Sequence, residues 1–580
     1  ANGAWGLHRG RTRGWLAYPG GRPTGMTQNR ALQIASGVLF TFVLVALLFH
    51  FSVYVSFAVN LISFPFDYDQ GEGFELVDVM MFAEGRWPYQ DTETYPFYSS
   101  NYPPLFHLPP VPFMWIFGPG YWYGRLLGFL GTLVCAALIG YAVYRDSEPD
   151  GRNRTVIAVA VLSALAFLGS NTVYHIGPLF RQHMTMVLFE VAAIVVLQHA
   201  VQVQDSRKRW QQIAFGLGML IIGGYTKQLA AITAIAALVF LVIRNPRRGV
   251  IGGLAFTAVG VAIFAWMNIS TGGQWWLQAV AANVNEFYPD QSVGLFRLWW
   301  RLHNVLIIPA VLYVIYELYW DRLSAYSIWF VFSLVSGVAS GTWGAGDSYF
   351  ATTIAATAIL SGLFFVRTLN GAWQFPADVY LSRLVTWARP AAPALVALSM
   401  IAIPVVYLEY ARDTLKMPTD RPVYAQVANL LGLEPNAPLY RAERTFYDSA
   451  RLPDGGYPGG YADIGHFVTA ADVEAGWQIT AMVRAAEGPV ITEDASFSIQ
   501  AGKDVITNPT QLRNLYLNGF YEGDALIEMI NAREFELIVY RAQFYPATVL
   551  EAVAANYEED VDAAVFMNGF RYIIMRPKEG

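Results

Sequence analysis

Apolar residues fill the first two thirds of this chain in runs that match the length of a bilayer's hydrocarbon core, about 30 Å or about 20 helical residues. The runs lie near 31–59, 121–144, 155–170, 183–203, 210–224, 228–243, 250–267, 302–319, 326–341, 350–366 and 391–409. They predict about eleven membrane-spanning helices. Polar residues between them supply a check, because Lys and Arg stay on the cytoplasmic side of a membrane. Alternate loops carry Arg145, Arg152 and Arg154, then Arg207, Lys208 and Arg209, then Arg244, Arg247 and Arg248, then Arg322, then Arg367, Arg383 and Arg389. All fall on one side. With a basic leader on that side too, an odd number of crossings places the C-terminal region outside.

The same rule governs Pro103 to Gly118, which is apolar but carries prolines at 103, 104, 109 and 110. Proline breaks a spanning helix, and a crossing here would reverse every later loop against the charge rule. The segment is therefore expected to be interfacial or re-entrant on the outer face, within a first external loop of 60–120. A loop of that length is more often functional than merely connecting. Inside it, Phe74, Val77 and Met81 recur opposite Glu75, Asp78 and Glu84, which predicts a helix lying in the membrane interface.

After Tyr410 the pattern becomes that of a water-soluble domain, with 14 basic residues against 24 acidic ones. A helix is expected over 471–486, a strand over 489–492, helices near 509–517 and 523–532, and strands over 535–540 and 572–575; this alternation suggests a small α/β domain at 410–580. The link 418–460, rich in Pro, Gly and Tyr, reads as a loop packed over the membrane part. Three regions result: a basic leader at 1–30, a membrane domain at 31–409 and the soluble tail. Composition agrees, since 14% charged residues in 580 is far below the ~25% of soluble domains. The lone Cys135 sits in an apolar run and forms no intramolecular disulfide. The leader holds Arg9, Arg11, Arg13, Arg22 and Arg30 with no acidic residue and reads as a cytoplasmic extension, with Met26 an alternative start.

Candidate chemistry concentrates where the first apolar run ends, in Phe66-Asp67-Tyr68-Asp69-Gln70-Gly71-Glu72-Gly73. Carboxylates at a membrane boundary are costly to desolvate and so point to a functional site. The alternative is that they cap the helix beginning near Gly73 and favour its positive end. Arg125, Arg181, Lys227, Arg297 and Arg301 lie on or near the outer side, where the charge rule leaves few cations. Phosphate pairing is one reason for them, and snorkelling to the interface is the other. His183 could contact phosphate or sugar or be structural. Trp275, Trp276, Trp299 and Trp300 could stack on a sugar or form an interfacial belt. No Walker motif, zinc-ligand spacing, Ser-His-Asp signature or internal repeat occurs, and nothing points to nucleic acid.

Asp69-Gln70-Gly71-Glu72-Gly73, Gly85-Arg86-Trp87-Pro88-Tyr89, Asn101-Tyr102-Pro103-Pro104-Leu105 and Gly124-Arg125-Leu126-Leu127 follow one another, and Thr226-Lys227-Gln228 and Gly341-Thr342-Trp343-Gly344-Ala345-Gly346-Asp347-Ser348-Tyr349-Phe350 come later. In these motifs and their order the chain resembles the GT-C superfamily of membrane glycosyltransferases. It is most similar to the family 39-like branch of protein O-mannosyltransferases and lipid A aminoarabinose transferases, over nearly its whole length.

The resemblance implies a polytopic α-helical membrane protein with an extracytoplasmic α/β domain, in a prokaryotic cytoplasmic membrane. It implies inverting transfer of a hexosyl or pentosyl group from a polyprenyl-phosphate carrier to a hydroxyl of a lipid, glycan or protein at the outer face. Such chemistry asks for a carboxylate to take the acceptor proton and for cations to offset charge on the departing phosphate. Asp69 is the expected base and Asp67 its rival, with Glu72 orienting the acceptor or helping to bind a metal. Lys227, Arg181, Arg125 and His183 are expected at the donor phosphate, and Asn101, Tyr102, Gln228, Asp347 and Tyr349 at the substrates. Aminoarabinose-type members often carry Lys before the Pro-Pro pair, where Asn101 stands here, which shifts weight to Lys227 and Arg181. No cofactor is required; a divalent cation is compatible with the acidic residues, but no spacing specifies one. The rivals are a transporter or lipid flippase, which should show paired halves or interrupted helices, and a non-catalytic scaffold that keeps the fold.

Overall fold

The computed structural model describes residues 30–147, 154–376, 379–386, 389–415, 421–432 and 467–579. The basic leader up to residue 29, with Met26, and most of the 418–460 link lie outside the described residues. Every one of the eleven apolar runs is helical: Arg30–Ile62, Tyr121–Asp146, Arg154–Gly169, Gln182–Ala200, Ser206–Thr226, Ala231–Arg244, Pro246–Ser270, Pro289–Trp320, Ala325–Ser336, Ala351–Leu369 and Ala392–Glu409. Among the described residues, seven helices are individually long and apolar enough to cross a membrane, and three shorter apolar helices cover 154–169, 228–244 and 325–341. At the tight junction near 227 the chain does not form a loop. Lys227 is a single extended residue, φ −155° and ψ 133°, between helix Ser206–Thr226 and a 3₁₀ turn at Gln228–Ala230.

A buried carboxylate ties the bundle together. Glu190 accepts from the hydroxyls of Thr233 and Thr352, each at 2.6 Å, and Trp329 Nε1 donates to Thr233 Oγ1 at 2.9 Å. Four helices meet at this network. Fully satisfied polar groups in a low-dielectric interior fix the register of the elements that carry them.

Pro103–Gly118 folds as a 3₁₀ turn, Pro104–Phe106, and a 7-residue helix, Val111–Phe117. That helix is only about 10 Å long, too short to span. Helix Glu72–Ala83 departs from expectation, because it does not float in the interface with one polar face in water. Leu76 and Val79 pack with Phe106, Val111 and Phe180, while Phe74, Val77 and Met81 pack with Tyr98 and Ala495. Glu75 and Asp78 are buried too, and of the expected polar face only Glu84, past the helix end, is exposed. Residues 98–107 and Arg181 cover the side that water was expected to wet, through Tyr98, Ser100 and His107, and the tail domain packs on the apolar side through Ala495.

That domain holds a five-stranded sheet, β1 Val490–Thr492, β2 Leu537–Tyr540, β3 Tyr557–Glu559, β4 Val565–Met567 and β5 Phe570–Pro577. The order is β1-β2-β5-β3 with β4 also on β5; β1 and β2 are parallel and the rest antiparallel. Helices Ala470–Ala485, Pro509–Leu517 and Asp524–Asn531 match the reading from sequence, and Ala495–Ala501 and Ala547–Asn556 add to it. The domain grips the end of the first spanning helix: Asn60 exchanges two hydrogen bonds with the backbone of Val468, at 3.0 and 2.8 Å, and Gln500 Nε2 donates to Pro65 O at 3.2 Å.

Candidate active site

The acidic stretch reaches its geometry through one buried ion pair. Arg125, one turn into helix Tyr121–Asp146, uses all five of its donors: Nε and Nη2 on the two Glu72 oxygens at 2.9 and 2.7 Å, Nη1 on the carbonyls of Leu61 and Phe64 at 2.7 and 2.5 Å, and Nη2 again on Phe66 O at 2.7 Å. Both side chains are fully buried. Glu72 also accepts from the amides of Phe180, Tyr68 and Asp69 at 2.7, 3.1 and 3.2 Å. Burial alone would raise the Glu72 carboxyl, but Arg125 and these amides outweigh it and hold it below the usual carboxylate range. Arg125 thus has no donor left for a phosphate, and Glu72 has no free oxygen for an acceptor or a metal. The pair clamps the chain from Leu61 to Glu72.

Asp67, the rival base, faces the tail domain. Its Oδ2 accepts from Ser496 N at 3.0 Å and Tyr121 OH at 3.2 Å. Burial, and then the nearby Asp494, push its pKa well above the ordinary value. Asp494 is itself held by Arg541 at 3.1 Å and by the Tyr572 hydroxyl at 2.5 Å. Arg541 and Asn568 both reach back to the Tyr68 carbonyl, at 3.3 and 3.2 Å. Asp67 therefore sits in a docking seam between the two domains.

Asp69 points elsewhere. One of its oxygens lies 3.1 Å from Arg181 Nε, and Arg181 Nη1 lies 3.2 Å from Glu75 Oε1. The Arg181 guanidinium is 5.7 Å from the centre of the Tyr102 ring, and Lys227 Nζ is 4.3 Å from the same centre and 6.0 Å from that of Tyr349. His183 completes the group, bonded to Ser348 Oγ at 3.0 Å with its ring 6.2 Å from Tyr349. Two carboxylates, two cations and two aromatic faces, drawn from five distant parts of the chain, converge here. Glycine permits the approach: a Cβ on Gly71 would overlap the Arg181 guanidinium, and one on Gly73 would meet the Asp67 carboxylate at 2.7 Å.

The remaining predicted residues frame this group. The Asn101 carbonyl accepts from Gln228 Nε2 at 3.2 Å and Asn283 Nδ2 at 3.1 Å, so Asn101 and Gln228 brace the loop that carries Tyr102. Thr172 Oγ1 donates to buried Asp347 at 2.8 Å, two residues before Tyr349. Arg297 and Arg301 are exposed on helix Pro289–Trp320. Trp275 is buried beside Tyr89 and Trp299 stacks on Phe350, while Trp276 and Trp300 are exposed.

Sequence reasoning missed Glu75 as a partner of Arg181. The signal was there in Glu75 itself, a carboxylate one turn after Glu72 in the same helix. Glu75, Asp78 and His107 could together hold a metal ion, since they offer ligand atoms within 4.8 Å of one another. Yet they already satisfy each other: His107 Nε2 lies 2.6 Å from Glu75, and Asp78 accepts from Tyr98 OH at 2.8 Å and Ser100 Oγ at 2.5 Å. Burial pushes Asp78 up to about 6. For His107 burial works the other way, but the facing Asp78 and Glu75 outweigh it and raise the imidazole. Gln70 and Gln182, neighbours of Asp69 and Arg181, carry buried amide atoms without a hydrogen-bond partner among the described residues. Such atoms are rare in folded chains and ask for a ligand or water. An apolar cavity of about 400 Å³ is lined by Phe82, Trp87, Pro104, Leu105, Tyr225 and Trp266 among others; Pro104 and Tyr225 each lie two residues along the chain from Tyr102 and Lys227, respectively.

A family model described as dolichyl-phosphate-mannose-protein mannosyltransferase matches residues 102–270. That segment holds Tyr102, Arg181, His183, Lys227 and Gln228, the cationic half of the site, and Arg125 of the clamp. No curated protein sequence matches the chain. Among solved structures, ArnT from Cupriavidus metallidurans in the apo state aligns over 93% of this chain and 98% of its own, with a TM-score of 0.52 at 14% identity. The chain has the fold of a GT-C membrane glycosyltransferase. The same ArnT bound to undecaprenyl phosphate aligns over equal shares, with a TM-score of 0.50 at 14% identity. In this fold the Asp69 group lies where the 60–120 loop, the bundle and the tail domain meet.

Proposed function

We propose that the chain transfers a sugar from a polyprenyl-phosphate carrier to an acceptor hydroxyl, with Asp69 as the base and Arg181 and Lys227 at the donor phosphate. The observation that carries this reading is the convergence of Asp69, Arg181 and Lys227 around the Tyr102 ring, together with an apolar cavity lined by Pro104 and Tyr225. The fold shared with an ArnT that binds undecaprenyl phosphate supports it, as does the mannosyltransferase family model over the cationic half. A prenyl chain suits the apolar cavity, and a phosphate suits the two cations.

The chemistry follows from charge. A donor phosphate attracts Arg181 and loosens its hold on Asp69, leaving that carboxylate to face the acceptor. As the acceptor oxygen attacks the anomeric carbon, its proton passes to Asp69 and the carbon–phosphate oxygen bond breaks. The departing phosphate keeps the electron pair, and Arg181 and Lys227 offset its charge. One displacement inverts the anomeric configuration. No metal is required, because the two side-chain cations do that work. Gln70, Gln182, Asp347, Tyr349 and His183 line the space for sugar and acceptor, and the acceptor is a lipid, glycan or protein hydroxyl. The positively charged loops support an N-terminus in the cytoplasm and a tail domain on the other side of the membrane, which we read as a prokaryotic cytoplasmic membrane.

The test is transfer from a panel of labelled polyprenyl-phosphate hexoses and pentoses into membrane lipids, glycans and proteins, with wild type and Lys227→Met. A labelled product whose donor KM rises about 10- to 100-fold in the variant, the worth of one charge-assisted contact, supports the assignment. Transfer with an unchanged donor KM removes Lys227 from the phosphate site, and no transfer from any donor favours the transporter or scaffold reading.

A further inference from the structure

At the end of the bundle away from Asp69 lies a cavity of about 530 Å³ that the proposed reaction does not use. Helices Tyr121–Asp146, Gln182–Ala200, Ala231–Arg244 and Ala351–Leu369 run from the Asp69 side and finish at it, while Ser206–Thr226, Pro246–Ser270 and Ala325–Ser336 begin at it. The 19-residue helix Gln182–Ala200 that joins the two regions is about 28 Å long. The cavity is a separate place, at the opposite membrane face.

Its lining is charged and unbalanced. Arg209, Arg244, Arg248, Arg322 and Arg367 face three carboxylates, Asp146, Glu317 and Asp321. The carboxylates have partners of their own. Asp146 pairs with His199 Nε2 at 2.8 Å and Tyr326 OH at 2.7 Å, and Glu317 accepts from Ser324 N at 2.7 Å and Ser327 Oγ at 2.6 Å. Asp321 lies 3.5 Å from Arg367. Arg209 donates to the carbonyls of Val203 and Gln204, at 2.7 and 2.8 Å.

Three arginines are left over. Arg244 donates through Nη2 to Leu323 O at 2.6 Å, while its Nε is buried with no partner among the described residues. Arg322 acts on Arg244 as a like charge, while Glu317 and Asp321 act on it in the opposite sense. Neither Arg248 nor Arg322 has a hydrogen-bonded side-chain partner among the described residues. The buried, unpartnered Arg244 Nε and the like charge of Arg322 beside it disfavour the empty state, and a shared anion relieves both. Exposed residues such as Arg207, Arg247 and Arg322 meet the charge rule for membrane loops; that rule does not by itself gather five arginines around one cavity.

We propose that this cavity binds a phosphate-bearing anion, its phosphoryl oxygens held by Arg244, Arg248 and Arg322. Guanidinium groups suit that role because their planar donors match phosphate oxygens two at a time. The anion arrives either as the headgroup of a lipid in the adjoining leaflet or as a soluble phosphate.

The full chain in phosphatidylcholine nanodiscs is titrated with inorganic phosphate, and in parallel with phosphatidic acid mixed into the discs. The readouts are thermal shift for the first and lipid retained per protein by native mass spectrometry for the second. The variants are Arg248→Gln/Arg322→Gln, Arg322→Gln alone, and Arg207→Gln/Arg247→Gln, which removes equal charge outside the cavity. Saturable binding of at least one probe, weakened at least about tenfold in the cavity double variant and less in the single, with the outer pair unaffected, supports the site. Retention of phosphatidic acid alone names the lipid, and a shift with phosphate names a soluble anion. Binding absent in wild type, indifferent to both double variants, or weakened equally by both overturns the proposal.

Discussion

Replacing Arg125 with lysine separates the structural role found here from the phosphate contact expected of a cation near the outer face. Five hydrogen bonds leave the guanidinium, two to Glu72 and three to the carbonyls of Leu61, Phe64 and Phe66. An ammonium has three donors and no fork, so at least two of the five are lost. Bonds to charged groups contribute about 1.5–3 kcal/mol each, and disrupting one partner of a buried pair costs about 3–5 kcal/mol. A loss of about 3–5 kcal/mol is a large part of the ~5–15 kcal/mol that holds a typical fold. The assay is thermal unfolding of the detergent-purified protein, beside donor KM measured on the folded fraction. Arg125→Lys should unfold several degrees below wild type while the surviving protein keeps its donor KM. An unchanged melting temperature with a raised donor KM would refute the clamp and return Arg125 to the phosphate site.

Asp67→Asn should keep transfer, because the amide oxygen can still accept from Ser496 and Tyr121. Asp67 has its pKa raised in the folded state, so its stabilising contribution is full below about pH 3.9, the unfolded value, and is lost as pH rises through the folded value; the Asn variant should flatten that decline and melt at pH 7 no lower than wild type, and abolished transfer would make Asp67 the base instead. Gly71→Ala is compatible with its backbone, φ −73° and ψ −14°, but its methyl displaces Arg181. A donor KM raised about tenfold, ~1.4 kcal/mol, with unchanged melting is expected, and unchanged kinetics would remove Arg181 from the site.

The helices were legible because lipid imposes a length and a polarity on each crossing, so Tyr121–Asp146 or Ala351–Leu369 can be read from composition alone. The tail's strands at Val490–Thr492 and Leu537–Tyr540 were legible from β-branched runs, whereas β3 and β4, three residues each, carry no periodicity to read. The acidic stretch was correctly marked as charged and confined, but its members divided by partners distant in sequence. Asp67 meets Ser496, Glu72 meets Arg125, and Asp69 meets Arg181. Nothing local distinguishes three carboxylates within six residues; the tertiary partner does. Glu75 and Asp78 were read as wetted for the same reason, since the residues that meet them, Tyr98, Ser100, His107 and Arg181, lie outside their helix.

The most direct measurement is sugar transfer by Asp69→Asn against wild type at matched expression and melting temperature, with the donor that labels an acceptor in wild type. The account predicts that the variant still binds donor, with Arg181 and Lys227 intact, and that its turnover falls by about 10²- to 10⁴-fold, the usual worth of a general base. Turnover equal to wild type would contradict the assignment of Asp69 as the group that takes the proton.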